Sequence, residues 1–115
     1  MLPKENRLKK KKDFEKLFKD GMSFQEKFLA LKINKNNLSN NRFGFIVSKK
    51  ISKKAVVRNK IKRQFREIVR KEINNYRKGF DVAVIALPGV ELKTFEEVSR
   101  ALERAFKKIK ILNND

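Results

Sequence analysis

The sequence contains no cysteine and no histidine. Without cysteine there is neither a disulfide framework nor a thiolate metal site. Without histidine the usual general base near neutral pH is missing, and so is the usual zinc or copper ligand. Glycine occurs four times and proline twice, and no linker or internal repeat divides the chain. No apolar run approaches the eighteen or so residues of a membrane span. The opening MLPKENRLKKKK is charged, with no apolar stretch behind it, so it does not read as a secretory signal. No glycine-rich phosphate loop of the Walker type occurs. The default expectation is a cytoplasmic protein without a membrane or small-molecule partner.

Acids are scarce as well: 13 Asp or Glu stand against 31 Lys or Arg, a net charge of +18 over 115 residues. That excess exceeds what solubility requires and draws polyanions, nucleic acid first. Between Glu26 and Glu67 lie forty residues without one acid, and thirteen Lys or Arg fall among them. A metal-dependent nuclease needs clustered carboxylates, and no nucleophile stands beside a base. No catalytic residue, metal ligand or firmly bound cofactor is therefore expected in this chain. A membrane-surface helix would need large exposed apolar residues, whereas the apolar stripes here are needed for a core.

Hydrophobic residues make up 40%, with ten Phe, which suits one packed domain. In KKDFEKLFKDG, Phe14, Leu17 and Phe18 form one helix stripe, with Asp13 as cap, Glu15 pairing with Lys19, and Gly21 as stop. Residues 27–33 (KFLALKI) and 42–48 (RFGFIVS) read as an antiparallel pair of strands around the polar turn 34–41. Phe43, Phe45 and Val47 alternate onto one face. A long helix is expected over about 56–76. Its buried stripe is Val57, Ile61, Phe65 and Ile68, with Asn59, Lys62, Arg63, Arg66 and Arg70 opposite. Gly79 ends that region. Residues 80–87 (FDVAVIAL) form a central strand buried on both faces. Thr94 opens the last helix with a capping box to Glu97, and Val98, Ala101, Leu102, Ala105, Phe106 and Ile109 supply its buried stripe. The order is αββαβα, an α+β two-layer sandwich with a mixed sheet of four strands or fewer. One domain spans 1–115, with 1–8 and 112–115 flexible.

The segment SKKISKKAVVRNKIKRQFR, residues 48–66, holds nine Lys or Arg and no acid. A solvated charged face is the ordinary reading of such a helix. Here no acid relieves the repulsion among Arg58, Lys62 and Arg66, and planar Arg suits phosphate. RNA or DNA binding follows. Phe14 and Phe18 suit a core from their pattern alone. Arg7, Lys9, Lys10, Lys12 and Lys16 around them also suit stacking on unpaired bases. Phe28 and Phe43 fit either a core or the floor of that groove, while Phe65, Phe80 and Phe106 belong to the core.

The run VSKKISKKAVVRNKIKR closely resembles the protein subunit of bacterial ribonuclease P. Ser48, Lys49 and Lys50 match its S-K-K. Ala55, Val56, Arg58, Asn59, Lys60, Ile61, Lys62, Arg63 and Arg66 match its A-V-x-R-N-[RK]-I-K-R-x-x-R. NRLKKKKDFEKLFKDG is similar to the family's opening, and DVAVIALPG and TFEEVSRALERAF to its last strand and helix. The resemblance covers nearly the whole chain. It implies a protein that assists a catalytic RNA in removing the 5′ leader of precursor tRNA, an endoribonuclease activity in which the RNA holds Mg²⁺. By resemblance, Arg58, Asn59, Lys60, Lys62, Arg63 and Arg66 face the catalytic RNA. Phe14, Phe18, Lys49, Lys50, Arg7 and Lys10 bind the 5′ leader, in a cleft between the sheet and the first helix. The resemblance also implies a left-handed βαβ crossover, against the usual hand. Lys60 replaces the commoner Arg and loses its bidentate geometry. Leu31 stands where some members have a leader-facing Tyr, and Leu87 and Pro88 where many have basic residues, which predicts fewer leader contacts. The rival readings are a structural ribosomal or RNA-chaperone protein with no link to cleavage, and a nuclease acting alone.

Overall fold

A computed structural model describes residues 2–109; the tail 112–115 lies outside the described residues. The elements are α1 (Lys11–Asp20), β1 (Met22–Glu26), β2 (Leu29–Lys35), β3 (Arg42–Ile46), α2 (Ala55–Glu72), β4 (Phe80–Ala86) and α3 (Phe95–Lys108). Short 3-10 turns precede α1 (Lys4–Asn6), extend α2 (Ile73–Asn75) and precede α3 (Val90–Leu92). The strands form one mixed sheet in the order β1-β2-β4-β3. β2 runs antiparallel to β1 and β4, whereas β3 and β4 are parallel and joined through α2. The α+β expectation holds.

Two details of the expected order do not. The chain has a further strand, β1, whose sequence MSFQE half-buries Phe24, buries Glu26 and exposes the other three residues, and so gives little apolar alternation. Lys27 and Phe28 do not begin a strand but make its two-residue turn, with Lys27 at a φ of 52°. The strands read over 27–33 and 42–48 do not pair with each other, because β4 lies between them. Val82, Ala83 and Val84 are fully buried, and a strand apolar on both faces needs neighbours on both sides.

Strand alternation sorts the core. Leu29, Leu31 and Ile33 of β2, Val82, Val84 and Ala86 of β4, and Phe43 of β3 face α2 and α3. They meet Ile61, Phe65, Ile68 and Val69 of α2 and Val98, Ala101, Leu102, Ala105 and Phe106 of α3. Full burial of each large side chain contributes about 1.5–3 kcal/mol. The expected capping box is present: Thr94 Oγ1 accepts from the Glu97 amide and Glu97 Oε1 from the Thr94 amide, both at 3.1 Å. The Thr94 backbone bond also holds the Glu97 carboxyl below the usual carboxylate range.

The other sheet face carries α1. Leu17 packs there with Leu8 and Ala83, and Phe14 sits at the margin with Ile46 and Ile85. Close approach depends on Gly44, where an added Cβ would stand 2.4 Å from Phe14 Cζ. Asp13 is not the cap of α1, which begins after Lys10 with no side-chain cap. Asp13 instead accepts from Arg42 Nη1 at 3.2 Å, while Arg42 forks onto Asp81 through Nε and Nη2 at 2.8 and 2.7 Å. The hydrogen bonds to Asp81, aided by the Asp13 charge, push the Arg42 pKa up. Glu15 pairs with Lys11 at 3.9 Å rather than with Lys19. Residues 2–8 are anchored at both ends, with Pro3, Lys4 and Glu5 exposed between. Leu2 and Leu8 are buried, and the Leu8 amide donates to the Phe43 carbonyl at 2.9 Å. This segment thus lies along the free edge of β3.

Candidate nucleic-acid interface

The α1 side of the sheet is built in rows. Asn34, Asp81 and Arg42 form one, Ser23, Lys32, Ala83 and Gly44 the next, and Gln25, Ala30, Ile85 and Ile46 the third. α1 covers the first two through the Arg42 bridge, Leu17 and Phe14. The third row, half-buried at Ala30, Ile85 and Ile46, is the floor of an open cleft. Phe14 is half-buried beside it, and Phe18, one turn on, is 41% exposed.

Leu31 is fully buried on the opposite face, against α2 and α3. It cannot face this cleft, so the expected effect of Leu31 on leader contact falls away. The alternation L-K-I at 31–33 carried a signal for a cleft residue that was missed. Lys32 lies on the α1 side, and its Nζ reaches the Phe18 carbonyl at 3.4 Å. Phe28 and Phe43 are both core residues rather than cleft floor; the Lys93 ammonium sits over the Phe28 ring at 5.5 Å.

The link from β3 to α2 is a chain of turns. The Lys50 amide donates to Ser48 Oγ at 3.3 Å, the Ile51 amide to the Ser48 carbonyl at 3.1 Å, and the Lys54 amide to Ser52 Oγ at 3.2 Å. Ile51 is buried as an anchor while Lys49 and Lys50 are exposed. α2 then starts with no side-chain cap and no acid in its first turn. Its free amides and dipole add positive potential there. Asn59, Lys60, Arg63 and Arg66 are exposed and Lys62 is half-buried. Arg58 is half-buried and donates from Nη1 to the Ser52 carbonyl at 3.0 Å, so it also braces the linker. Arg70, read as part of the same stripe, is neutralised by Glu67 at 2.8 Å.

Charge is sorted between surfaces. Among the described residues the ion pairs lie within α1, at its Arg42 bridge, at the C-terminal part of α2, and on α3 with β1. None reaches Lys49, Lys50, Lys60, Lys62, Arg63 or Arg66. On the α3 side Glu26 accepts from Lys108 at 2.6 Å and Arg104 at 3.1 Å. These two hydrogen bonds, Lys108 first, hold its carboxyl below the usual range despite burial. Among the described residues no three carboxylates come together as a metal site, and no helix is long and apolar enough to cross a membrane.

The predicted site residues fall into two groups, with an overlap that the sequence did not show. Arg7 and Phe14, read with the leader cleft, line a cavity of about 310 Å³ together with Lys62 and Arg66, read with the other surface. Lys9, Leu8, Gly44 and Phe45 complete it, with Leu2 and Phe43. Lys10, Lys49, Lys50 and Phe18 are not part of this cavity.

Known proteins share this fold. The family model described as Ribonuclease P matches residues 2–110. A ribonuclease P protein component from Pseudanabaena sp. is 34% identical over 116 aligned residues, covering 100% of both chains. The solved RNase P protein from Staphylococcus aureus matches at 32% identity and a TM-score of 0.88, over 94% of this chain and 98% of that one. The RNase P protein from Thermotoga maritima matches at 34% identity and a TM-score of 0.81, over 89% and 96%.

Proposed function

This chain belongs to the ribonuclease P protein family, as a protein component of that enzyme, and from that premise we propose how its surfaces divide the work. Cleavage chemistry belongs to a catalytic RNA that holds Mg²⁺, and this chain supplies cations and a leader groove in the cytoplasm. The face of α2 bearing Asn59, Lys60, Lys62, Arg63 and Arg66 docks on the catalytic RNA, with Arg58 bracing its start. The cleft walled by Phe14 and Phe18 over Ala30, Ile85 and Ile46 takes the single-stranded 5′ leader of precursor tRNA. Lys49, Lys50, Lys32, Arg7 and Lys10 supply phosphate contacts around it.

The observation that carries this reading is the sorted charge. Lys49, Lys50, Lys60, Lys62, Arg63 and Arg66, without ion pairs among the described residues, adjoin an open sheet face with an exposed Phe, while Glu26, Glu96 and Glu103 form ion pairs on the α3 side. Cations between two RNAs lower their mutual repulsion, so less bulk Mg²⁺ is needed for assembly. Stacking on Phe18 holds unpaired bases without demanding a sequence.

The test mixes the protein with labelled precursor tRNA at low Mg²⁺, with and without the catalytic RNA. Cleavage is expected only when the RNA is present, and faster with the protein than without it. Cleavage by the protein alone, or no stimulation of the RNA, refutes the assignment.

A further inference from the structure

We infer that the cavity at the free edge of β3 holds one unpaired nucleotide of an RNA, its base against Phe14 and Phe45 and its phosphate on Lys62, Arg66 and Arg7. The inference rests on the RNA-binding reading above and adds a subsite to it. The volume of about 310 Å³ lies at the lower end of the range of about 300–1,000 Å³ occupied by small ligands.

Strand geometry explains why the cavity is there. Phe43 and Phe45 turn toward the α2 side of the sheet and Gly44 toward α1, so a cavity touching all three wraps the strand's edge. The N-terminal segment pairs with that edge only as far as Leu8, whose amide takes the Phe43 carbonyl. One pleat on, the amide and carbonyl of Phe45 point to the same edge. Among the described residues no segment pairs with them there.

Three kinds of recognition therefore converge. Phe14 and Phe45 offer flat apolar surface for a base. Lys62 and Arg66, one helical turn apart and without ion pairs among the described residues, offer charge-assisted bonds to a phosphate. Arg7 joins them, its Nε donating to the Leu2 carbonyl at 2.8 Å and its Nη atoms in no ion pair among the described residues. The edge of Phe45 offers one donor and one acceptor to a base. A phosphate alone would leave the rings unused, and a neutral peptide strand would leave the cations unused. A nucleotide uses all three. The cavity lies between the proposed leader cleft and the α2 face, so the nucleotide can come from precursor tRNA or from the catalytic RNA.

The test titrates the isotope-labelled full chain with adenosine 5′-monophosphate, adenosine, inorganic phosphate and polyglutamate, following backbone amides by NMR. The monophosphate should shift Leu8, Gly44 and Phe45 and saturate, with adenosine and phosphate each at least about tenfold weaker, the loss of a charge-assisted bond or a stacked base. Arg66→Gln, at an exposed position, should weaken the monophosphate about tenfold and leave adenosine unchanged. Equal binding by phosphate or adenosine alone, equal saturation by polyglutamate, or silence at Gly44 and Phe45 overturns the inference. A second arm uses wild-type protein with 4-thiouridine placed in either the catalytic RNA or precursor tRNA. A crosslink to Phe14 or Phe45 supports the subsite and shows which RNA fills it. No crosslink from either RNA, in complexes whose cleavage the protein still stimulates, overturns the subsite while leaving the proposed function standing. Loss of stimulation by wild type would instead remove the premise.

Discussion

Gly44→Ala reads the contact between α1 and the sheet most directly. The new methyl would stand 2.4 and 2.6 Å from two ring carbons of Phe14, where carbon pairs settle at about 3.5–4.0 Å. The ring must retreat by about 1 Å, against the cluster of Leu8, Leu17 and Ala83. Overpacking of this kind costs about 1–3 kcal/mol. A gain opposes it: Gly44 does not sit at positive φ, and replacing such a glycine stabilises by about 0.4–1 kcal/mol through the unfolded chain. The clash should win, for a net loss of about 1–2 kcal/mol. In a Phe14→Ala background the ring is gone and only the gain remains, so the same substitution should change sign. Urea unfolding should show the midpoint falling in one background and rising in the other at constant m, a coupling of about 1–3 kcal/mol. Equal responses within about 0.5 kcal/mol would mean that Phe14 does not lie on Gly44. The displaced ring also leaves the cleft wall. Leader-bearing precursor tRNA should therefore lose affinity in Gly44→Ala, while leaderless tRNA does not.

Exchanging Lys62, Arg63 and Arg66 together for Gln should reduce the slope of log K against log salt for catalytic RNA by about 2–3; an unchanged slope would place RNA on another face. Phe18→Ala should weaken leader binding by about 1–3 kcal/mol, the range of one base stacked on an aromatic ring, with little loss of stability because the ring is 41% exposed. Comparing affinities with and without a leader checks it. The Glu26 carboxyl is held below its ordinary 4.5 by Lys108 and Arg104. Its stabilising contribution is present above the unfolded pKa and lost as pH falls through the lowered folded one. The stability gap between wild type and Glu26→Gln should therefore be widest near neutrality and close on acidification, and a gap that grows at low pH would reverse the assignment. Lys27→Gly should relieve the positive φ of 52° and raise the urea midpoint, by up to about 1 kcal/mol in stability.

Much of this was legible in the sequence because burial follows period. The α3 stripe from Val98 to Phe106, the Thr94 capping box and the central strand 80–87 each rest on a local pattern with one satisfactory solution. β1 rests on none: Met22, Ser23 and Gln25 are exposed, so it is a strand only because β2 offers it an edge. The false pairing of β2 with β3 is a matter of topology. Both patterns permit a neighbour, and only the placement of β4 decides which. Asp13 shows the limit of capping rules. Its carboxylate can cap locally or reach Arg42 of β3, and Arg42, already fixed by Asp81, offers the charged partner. Asn59, Arg63, Arg66 and Arg70 of the α2 stripe are exposed as read, with Lys62 half-buried and Arg70 paired to Glu67, but the convergence of Lys62 and Arg66 with Arg7 and Phe14 depends on where the N-terminal segment lies along β3.

The cost of leaving α2 unneutralised can be weighed against what it achieves. Arg58 and Lys62, and Lys62 and Arg66, stand at i,i+4, and each like-charge pair destabilises by about 0.2–0.5 kcal/mol. Ile61, Phe65, Ile68 and Val69 on the opposite face are buried, at about 1.5–3 kcal/mol each when burial is full. Packing exceeds the repulsion several-fold, so the helix tolerates its charge. Acids at these positions would remove the repulsion and add attraction, a gain of at most about 2 kcal/mol over the two pairs. They would also remove phosphate contacts, each of which changes affinity roughly threefold between 50 and 200 mM salt. The 13 acids serve better where they stand. Glu96, Glu103 and Glu26 neutralise Arg100, Lys107, Arg104 and Lys108 on the α3 side, which leaves the positive field concentrated on the surface read as facing RNA.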